Sequence, residues 1–454
     1  LDEKRAPLKN FLRENLQFII ICFVWIAAGF IFNPLAVVIV SLTALLFYNR
    51  NFEVELFIGL LFVLTMSDSR LYYMAWAGDA KTIYIVLFSL ATFRNYKSIE
   101  SVIKLHVYIL PFILFAVLCI AFSPIPFTAI QKTASYFLLF ASVPNFFSYL
   151  YQKYKEDFLK RAVWTSFFII FIGLLFKYIS PESATLVGRL RGLLGNPNGL
   201  GIYCYLFCIF LTIIIEFFPD MFTRNEKIFI YGITIISLVY SGARSSLLAL
   251  ILFFVFRYFH RLSPLVGFVL LLMVSVSYEL ITANFEAIIY SLGLENYLRV
   301  ETLKEGSGRY VAWGFAWQQI QKNYFIGRGF SFNEYIFREN YGYLLSKGHQ
   351  GSSAHNSYLT LWLDTGFIGL ASFLSGLLGF VFSLSKLSIS LFPLLYSVLF
   401  SNQFESWLTA SLNPFTILFL CSISLIYVAG MERKTIEKKT ETGNEPDPAT
   451  VAMT

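Results

Sequence analysis

Five side chains stand out as able to do chemistry: Arg189, Arg191, Arg244, Arg309 and His355. Each lies in a polar break between long apolar runs. In GRLRGLLGNPNGLG, residues 188–201, the glycines and Pro197 stop one element, and Asn198 is placed to cap the helix that follows. Without its two arginines the segment reads simply as a loop and helix start. SGARSSLLAL, residues 241–250, puts Arg244 in a tight turn between two short apolar helices, with Ser245 or Ser246 opening the second. An arginine in an apolar layer costs about 2.5–3.5 kcal/mol at mid-helix and less near an end, so it needs a partner. A lipid headgroup phosphate or a carboxylate would serve. A substrate phosphate matches both the planar guanidinium fork and the free N–H groups of a helix start, and is the preferred reading.

GSGRYVAWGFAWQQIQ follows a Gly-Ser-Gly breaker and spaces Arg309, Trp313 and Trp317 at i, i+4 and i+8. A helix brings all three to one face, where the tryptophans suit a helix lying on a membrane surface. AHNSYLTLWLDTGFIGL then enters a long apolar run with His355 at its mouth. A lone histidine at a helix start is more often structural, but its ordinary pKa near 6.5 also suits proton transfer. His349 has the wrong spacing for a helical metal pair, and no HExxH, CxxC or carboxylate cluster is present, so neither metal nor cofactor is expected. Glu405 is the other candidate base.

The elements that must carry these residues follow from composition. Of 454 residues, 57% are hydrophobic and only 14% charged, against about 25% charged in soluble domains. Apolar runs near 16–33, 34–48, 54–67, 81–93, 103–122, 127–150, 162–179, 199–218, 227–240, 245–259, 264–282, 356–382, 387–400 and 414–430 predict an all-α integral membrane protein. About fourteen transmembrane helices are expected, or twelve if the shortest runs do not span. The net charge of +7 comes mostly from lysines and arginines in short gaps, which marks topology rather than nucleic-acid binding. Those basic gaps alternate, placing both termini in the cytoplasm and residues 283–354 in one large periplasmic loop. The organisation read here is a helical bundle over 1–282, the loop with its interfacial helix over 283–354, further spanning helices over 355–430, and a disordered cytoplasmic tail over 431–454.

Several of these motifs recur together elsewhere. An arginine before G-x-x-x-N-P-N, Ser-Gly-Ala-Arg-Ser between helices, Gly-Arg-x-x-x-Trp, Gly-Arg-Gly-Phe, and His-Asn-Ser-Tyr-Leu with Gly-Phe-Ile-Gly resemble the bacterial O-antigen ligase and O-antigen polymerase family. The resemblance covers roughly residues 185–415. It implies an inner-membrane glycosyltransferase of the C-type architecture with its active site facing the periplasm. Such enzymes take a glycan from undecaprenyl pyrophosphate and join it, with inversion and without metal, to an acceptor sugar hydroxyl. The acceptor is lipid A–core for a ligase and another lipid-linked glycan for a polymerase of O-antigen, capsule or exopolysaccharide. By resemblance Arg244 and Arg309 hold the pyrophosphate and His355 meets the acceptor, with Arg189, Arg191, Asn198, Asn356 and Glu405 completing the substrate-binding set. Fourteen helices exceed the twelve usual for ligases, so both acceptors stand.

The chemistry agrees with that implication. A pyrophosphate leaving group develops charge that fixed cations and helix N-termini can neutralise. A transporter is the rival from another class, yet transporters bind near the bilayer midplane within repeats, whereas these polar residues gather at one face. A non-catalytic scaffold would not need arginines without neighbouring acids. The topology is checked by cysteine labelling in whole cells. A Cys at Ser346 should react with a membrane-impermeant reagent once the outer membrane is permeabilised, and protection there would overturn the map.

Overall fold

The computed structural model describes residues 7–261, 263–291, 307–349, 351–410 and 412–441. Among these the chain is all-α, apart from a two-residue antiparallel ladder pairing Thr185–Leu186 with Arg189–Leu190. Helix is what the composition demands, because an apolar layer offers backbone N–H and C=O groups no water to bond. Six described helices are long and apolar enough to cross a membrane: Asn33–Arg50, Leu105–Phe122, Pro126–Ile179, Pro197–Phe217, Ser357–Ser383 and Pro414–Thr440. Asn15–Ile31, Pro264–Ser277 and Leu391–Ser401 are apolar but shorter.

By its internal contacts the chain forms two interleaved compact units. One comprises 1–103, 138–250 and 412–454, the other 104–137 and 251–411. In the first, helix 197–217 packs between the helices Arg224–Ser241 and Pro414–Glu441. It is apolar all round, as a fully surrounded helix must be. Helix 414–441 runs past residue 430, so 431–441 is helical where a tail was expected, and 442–454 lies outside the described residues. The runs 127–150 and 162–179 are one continuous helix broken at Lys155 (φ 47°, ψ −127°), not two helices joined by a loop. Acids pin that break: Glu432 accepts from Lys155 Nζ and Tyr151, each at 2.7 Å, while Glu53 accepts from Lys153, Tyr149 and Tyr154. Lysines that mark topology in sequence are therefore also ion-paired.

In the second unit the helix Leu105–Cys119 lies along Ser357–Ser383. The helix Pro264–Ser291 continues beyond 282, which trims the expected loop, and 292–306 lies outside the described residues. The rest of the loop folds into the helices Ser307–Lys322, Phe332–Glu339 and Tyr341–Ser346. Ala312, Phe315, Ala316, Ile320, Phe337 and Leu344 from these helices form one core with Leu363 of helix 357–383. The tryptophans also have protein partners. Trp313 donates to the Ala354 carbonyl at 3.0 Å, and Trp317 meets Trp362 edge-on.

Helix 357–383 is itself broken at Gly366 (φ 69°, ψ −179°). A break strands N–H and C=O groups, and here the segment 324–329 takes them up. Phe367 and Ile368 donate to the carbonyls of Tyr324 and Phe325, while Arg328 and Gly329 donate to those of Leu363 and Asp364. The buried Asp364 carboxylate then accepts from Asn333 N at 2.8 Å and Ser331 N at 3.2 Å, capping helix 332–339 from outside. Such close backbone approach needs glycine. A Cβ at Gly327 would run into the Asp364 carbonyl and the Thr365 nitrogen. Gly327→Ala should therefore cost about 1–3 kcal/mol. Gly314→Ala is the control, because a Cβ there meets nothing within 4 Å and its helical site favours alanine by up to about 1 kcal/mol. Thermal unfolding in detergent distinguishes them: equal midpoints would show that the docking is not tight.

Candidate active site

His355 ends the loop in a left-handed conformation (φ 48°) that non-glycine residues seldom adopt. The next residue forces the geometry. Asn356 is the N-cap of helix 357–383, its side chain accepting from Tyr358 N at 2.9 Å and Leu359 N at 3.1 Å. Ser357 ties the same helix start to the 401–409 segment, its hydroxyl donating to Asn402 Oδ1 at 2.6 Å and its backbone N–H to the Asn402 carbonyl. Glu405 is thereby brought under His355.

The Glu405 carboxylate bridges two groups. Oε1 lies 3.1 Å from Arg309 Nη2, and Oε2 lies 3.4 Å from His355 Nδ1. Glu405 is only 14% exposed, whereas Arg309 and His355 are about one-third exposed, at 33% and 36%. The two candidate bases are thus neighbours. With Nδ1–H turned to the carboxylate, the arrangement leaves His355 Nε2 able to accept a proton, as in other carboxylate–histidine pairs. Glu405, already bonded to a guanidinium and an imidazole, is better suited to orienting than to abstracting a proton.

Sequence reasoning missed a second histidine at this site. His349 is buried, and its ring centroid lies 5.9 Å from that of His355. Burial first, and then the neighbouring His355, hold its pKa below the usual histidine value, although backbone groups of Gly308, Ser353 and Gly351 oppose the shift. The signal was the glycine between the pair, at position 351, where a Cβ would run into the His355 ring and crowd that of His349.

The remaining predicted residues lie in the other unit. Asn198 does not cap helix 197–217. Pro197 occupies its first turn, so the cap falls one residue earlier, on Asn196, which accepts from Gly199 N at 2.7 Å. Asn198 instead accepts from Arg189 Nη2 at 2.8 Å. Arg189 Nε donates to the Ser241 carbonyl at 2.7 Å, a cation at the C-terminal end of helix 224–241. Gly242, left-handed at φ 59°, closes that helix, and Arg244 opens the helix Arg244–Tyr258 with its side chain exposed. Arg191 Nε donates to the Ser183 carbonyl at 2.9 Å. Arg189 therefore positions the turn that presents Arg244, while Arg191 ties down its own hairpin.

Residues 229–374 match the family model described as O-antigen ligase. The match includes Arg244, Arg309, His349 and His355 and stops short of Arg189, Arg191, Asn198 and Glu405. No curated protein matches the chain. The bridging role of Glu405 can be measured directly by a double-mutant cycle. Arg309→Met and Glu405→Gln should couple by about 0.5–2 kcal/mol in denaturant unfolding, the range for partners in contact. Strictly additive losses would mean that the ion pair contributes nothing.

Proposed function

With residues 229–374 matching the O-antigen ligase family, which supports ligase or polymerase chemistry in general, we propose that this protein is a membrane glycosyltransferase. In this reading it moves a glycan from undecaprenyl pyrophosphate to an acceptor sugar hydroxyl, lipid A–core for a ligase, at the periplasmic face of the inner membrane. Its expected topology has about fourteen spans, both termini cytoplasmic and the 283–354 loop periplasmic. A second lipid-linked glycan in the acceptor's place makes the same reaction a polymerase.

The observation that carries the proposal is the His355–Glu405–Arg309 cluster at the mouth of helix 357–383. His355 Nε2 takes the acceptor's proton while the hydroxyl oxygen attacks the anomeric carbon. The bond from that carbon to the pyrophosphate oxygen breaks on the opposite face, giving inversion. The imidazolium so formed lies against the Glu405 carboxylate, which stabilises it and fixes the tautomer beforehand. Arg309 balances Glu405 in the resting site. Arg309 is the cation that this reading assigns to the leaving pyrophosphate, because a guanidinium pairs bidentately with phosphate, and Arg244 is proposed as a phosphate-binding cation on its sequence motif alone.

Donor binding and turnover, measured separately, test the assignment. His355→Ala should lower turnover by about 10²–10⁴ while retaining lipid-linked donor, since general-base catalysis has that typical size. Glu405→Gln should slow turnover through the histidine. Normal turnover in His355→Ala with loss in Glu405→Gln would transfer the base to the carboxylate.

A further inference from the structure

Beside the joint at Gly366 lies a cavity of about 310 Å³, lined by Phe122, Asn323, Ile326, Gly327 and Arg328. Phe122 ends the apolar helix Leu105–Phe122, so the cavity sits at the level where a helix long enough to span leaves the apolar layer. Its neighbours suit such a boundary. Trp362 donates Nε1–H to the Tyr324 carbonyl at 2.9 Å, and tryptophan and tyrosine collect where an apolar layer meets a polar one. The rim is apolar and turned outward: Phe122 and Phe325 are 56% and 61% exposed, and Ile326 is 46% exposed. Arg328 brings the single positive charge among the lining residues. Its Nε lies 3.4 Å from Asn323 Oδ1, and among the described residues no carboxylate pairs with it. The acids of the adjoining segments are already engaged. Glu334 lies 2.6 Å from Lys132 Nζ, and the buried Asp364 accepts from Asn333 N and Ser331 N. An arginine at the edge of an apolar layer calls for a partner, and here that partner is an anion from outside the chain.

We propose that this cavity seats the phosphate of one anionic phospholipid, whose acyl chains lie over Phe122, Phe325 and Ile326. The Nη groups of Arg328 and the side-chain amide of Asn323 are donors for the phosphate oxygens. One guanidinium balances the single charge of a phosphodiester, whereas a pyrophosphate carries more charge than this lining answers. The apolar rim selects a lipid over free phosphate. The seat is apart from the proposed chemistry, because Gly366 is ten residues of helix from Asn356, or about 15 Å at 1.5 Å per residue. It requires only lipid around these helices and not the transfer reaction, so its failure leaves the proposed function untouched. A lipid held here also holds segment 324–329, which carries the bonds that mend the break, and so stabilises the joint.

The test titrates the full-length protein, delipidated in a neutral maltoside detergent, with phosphatidylglycerol. Retained lipid is counted by native mass spectrometry, and the thermal unfolding midpoint is followed in parallel. One phosphatidylglycerol should be retained in preference to phosphatidylcholine, whose headgroup has no net charge, and the midpoint should rise by about 2–4 °C. Arg328→Gln should weaken phosphatidylglycerol binding by about tenfold, the size of one lost charge-assisted hydrogen bond. Arg338→Gln removes an exposed arginine that does not line the cavity and should bind as wild type does. The seat is wrong if Arg328→Gln binds the lipid as tightly as wild type, if Arg338→Gln loses as much, or if phosphatidylcholine binds equally well. Two further outcomes also overturn it. Inorganic phosphate that raises the midpoint as far as the lipid does would mark a plain anion site, and undecaprenyl phosphate that displaces phosphatidylglycerol at equal concentration would give the cavity to the donor. Should Arg328→Gln fail to fold, the comparison of ligands on the wild-type protein still decides.

Discussion

A helix broken inside an apolar layer must bond the backbone groups that the break releases, and this constraint organises the second unit. At Gly366 the stranded N–H and C=O groups of helix 357–383 find partners on the segment 324–329. That docking brings the helices 307–322 and 332–339 against the same helix, and Asp364 fastens the second by its N-terminus. Arg309 rides on the first of these helices and His355 heads helix 357–383. The Gly-Arg-Gly-Phe and Gly-Phe-Ile-Gly motifs are thus the two sides of one backbone joint. Chemistry is arranged above it by packing below it.

The arginines, similar in sequence, serve different ends. Arg189 and Arg191 bond carbonyl groups and shape a turn, Arg309 balances a carboxylate, and Arg244 stands exposed at a helix start. Arg189 shows what a guanidinium offers here, giving Nε–H to the Ser241 carbonyl and Nη2–H to Asn198. A lysine could copy the charge but not that division of bonds.

Much of this was legible before any coordinates. The apolar runs fall on helices because a run of Leu, Ile and Phe without partners for its backbone has no other stable form. His355 at a helix mouth and Arg309 on a loop helix were readable from punctuation and spacing. Three things were not. The break at Lys155 looked like a loop, because lysines that pair with Glu53 and Glu432 across long sequence separations resemble a solvated gap. Asn196 and Asn198 compete for one cap, and only the placement of Pro197 within the first turn decides between them. Glu405 was readable as a candidate base, but its meeting with His355 is a tertiary contact between distant parts of the chain that no local pattern encodes.

The left-handed backbone at His355 has a consequence for how this protein can change. An L-residue holds that conformation at a cost of about 1–2 kcal/mol, and only glycine is relieved of it. The imidazole therefore occupies a place where folding alone would favour a residue with no side chain. On the proposed role of His355 as the base, a sturdier fold and proton transfer pull in opposite directions at this one position.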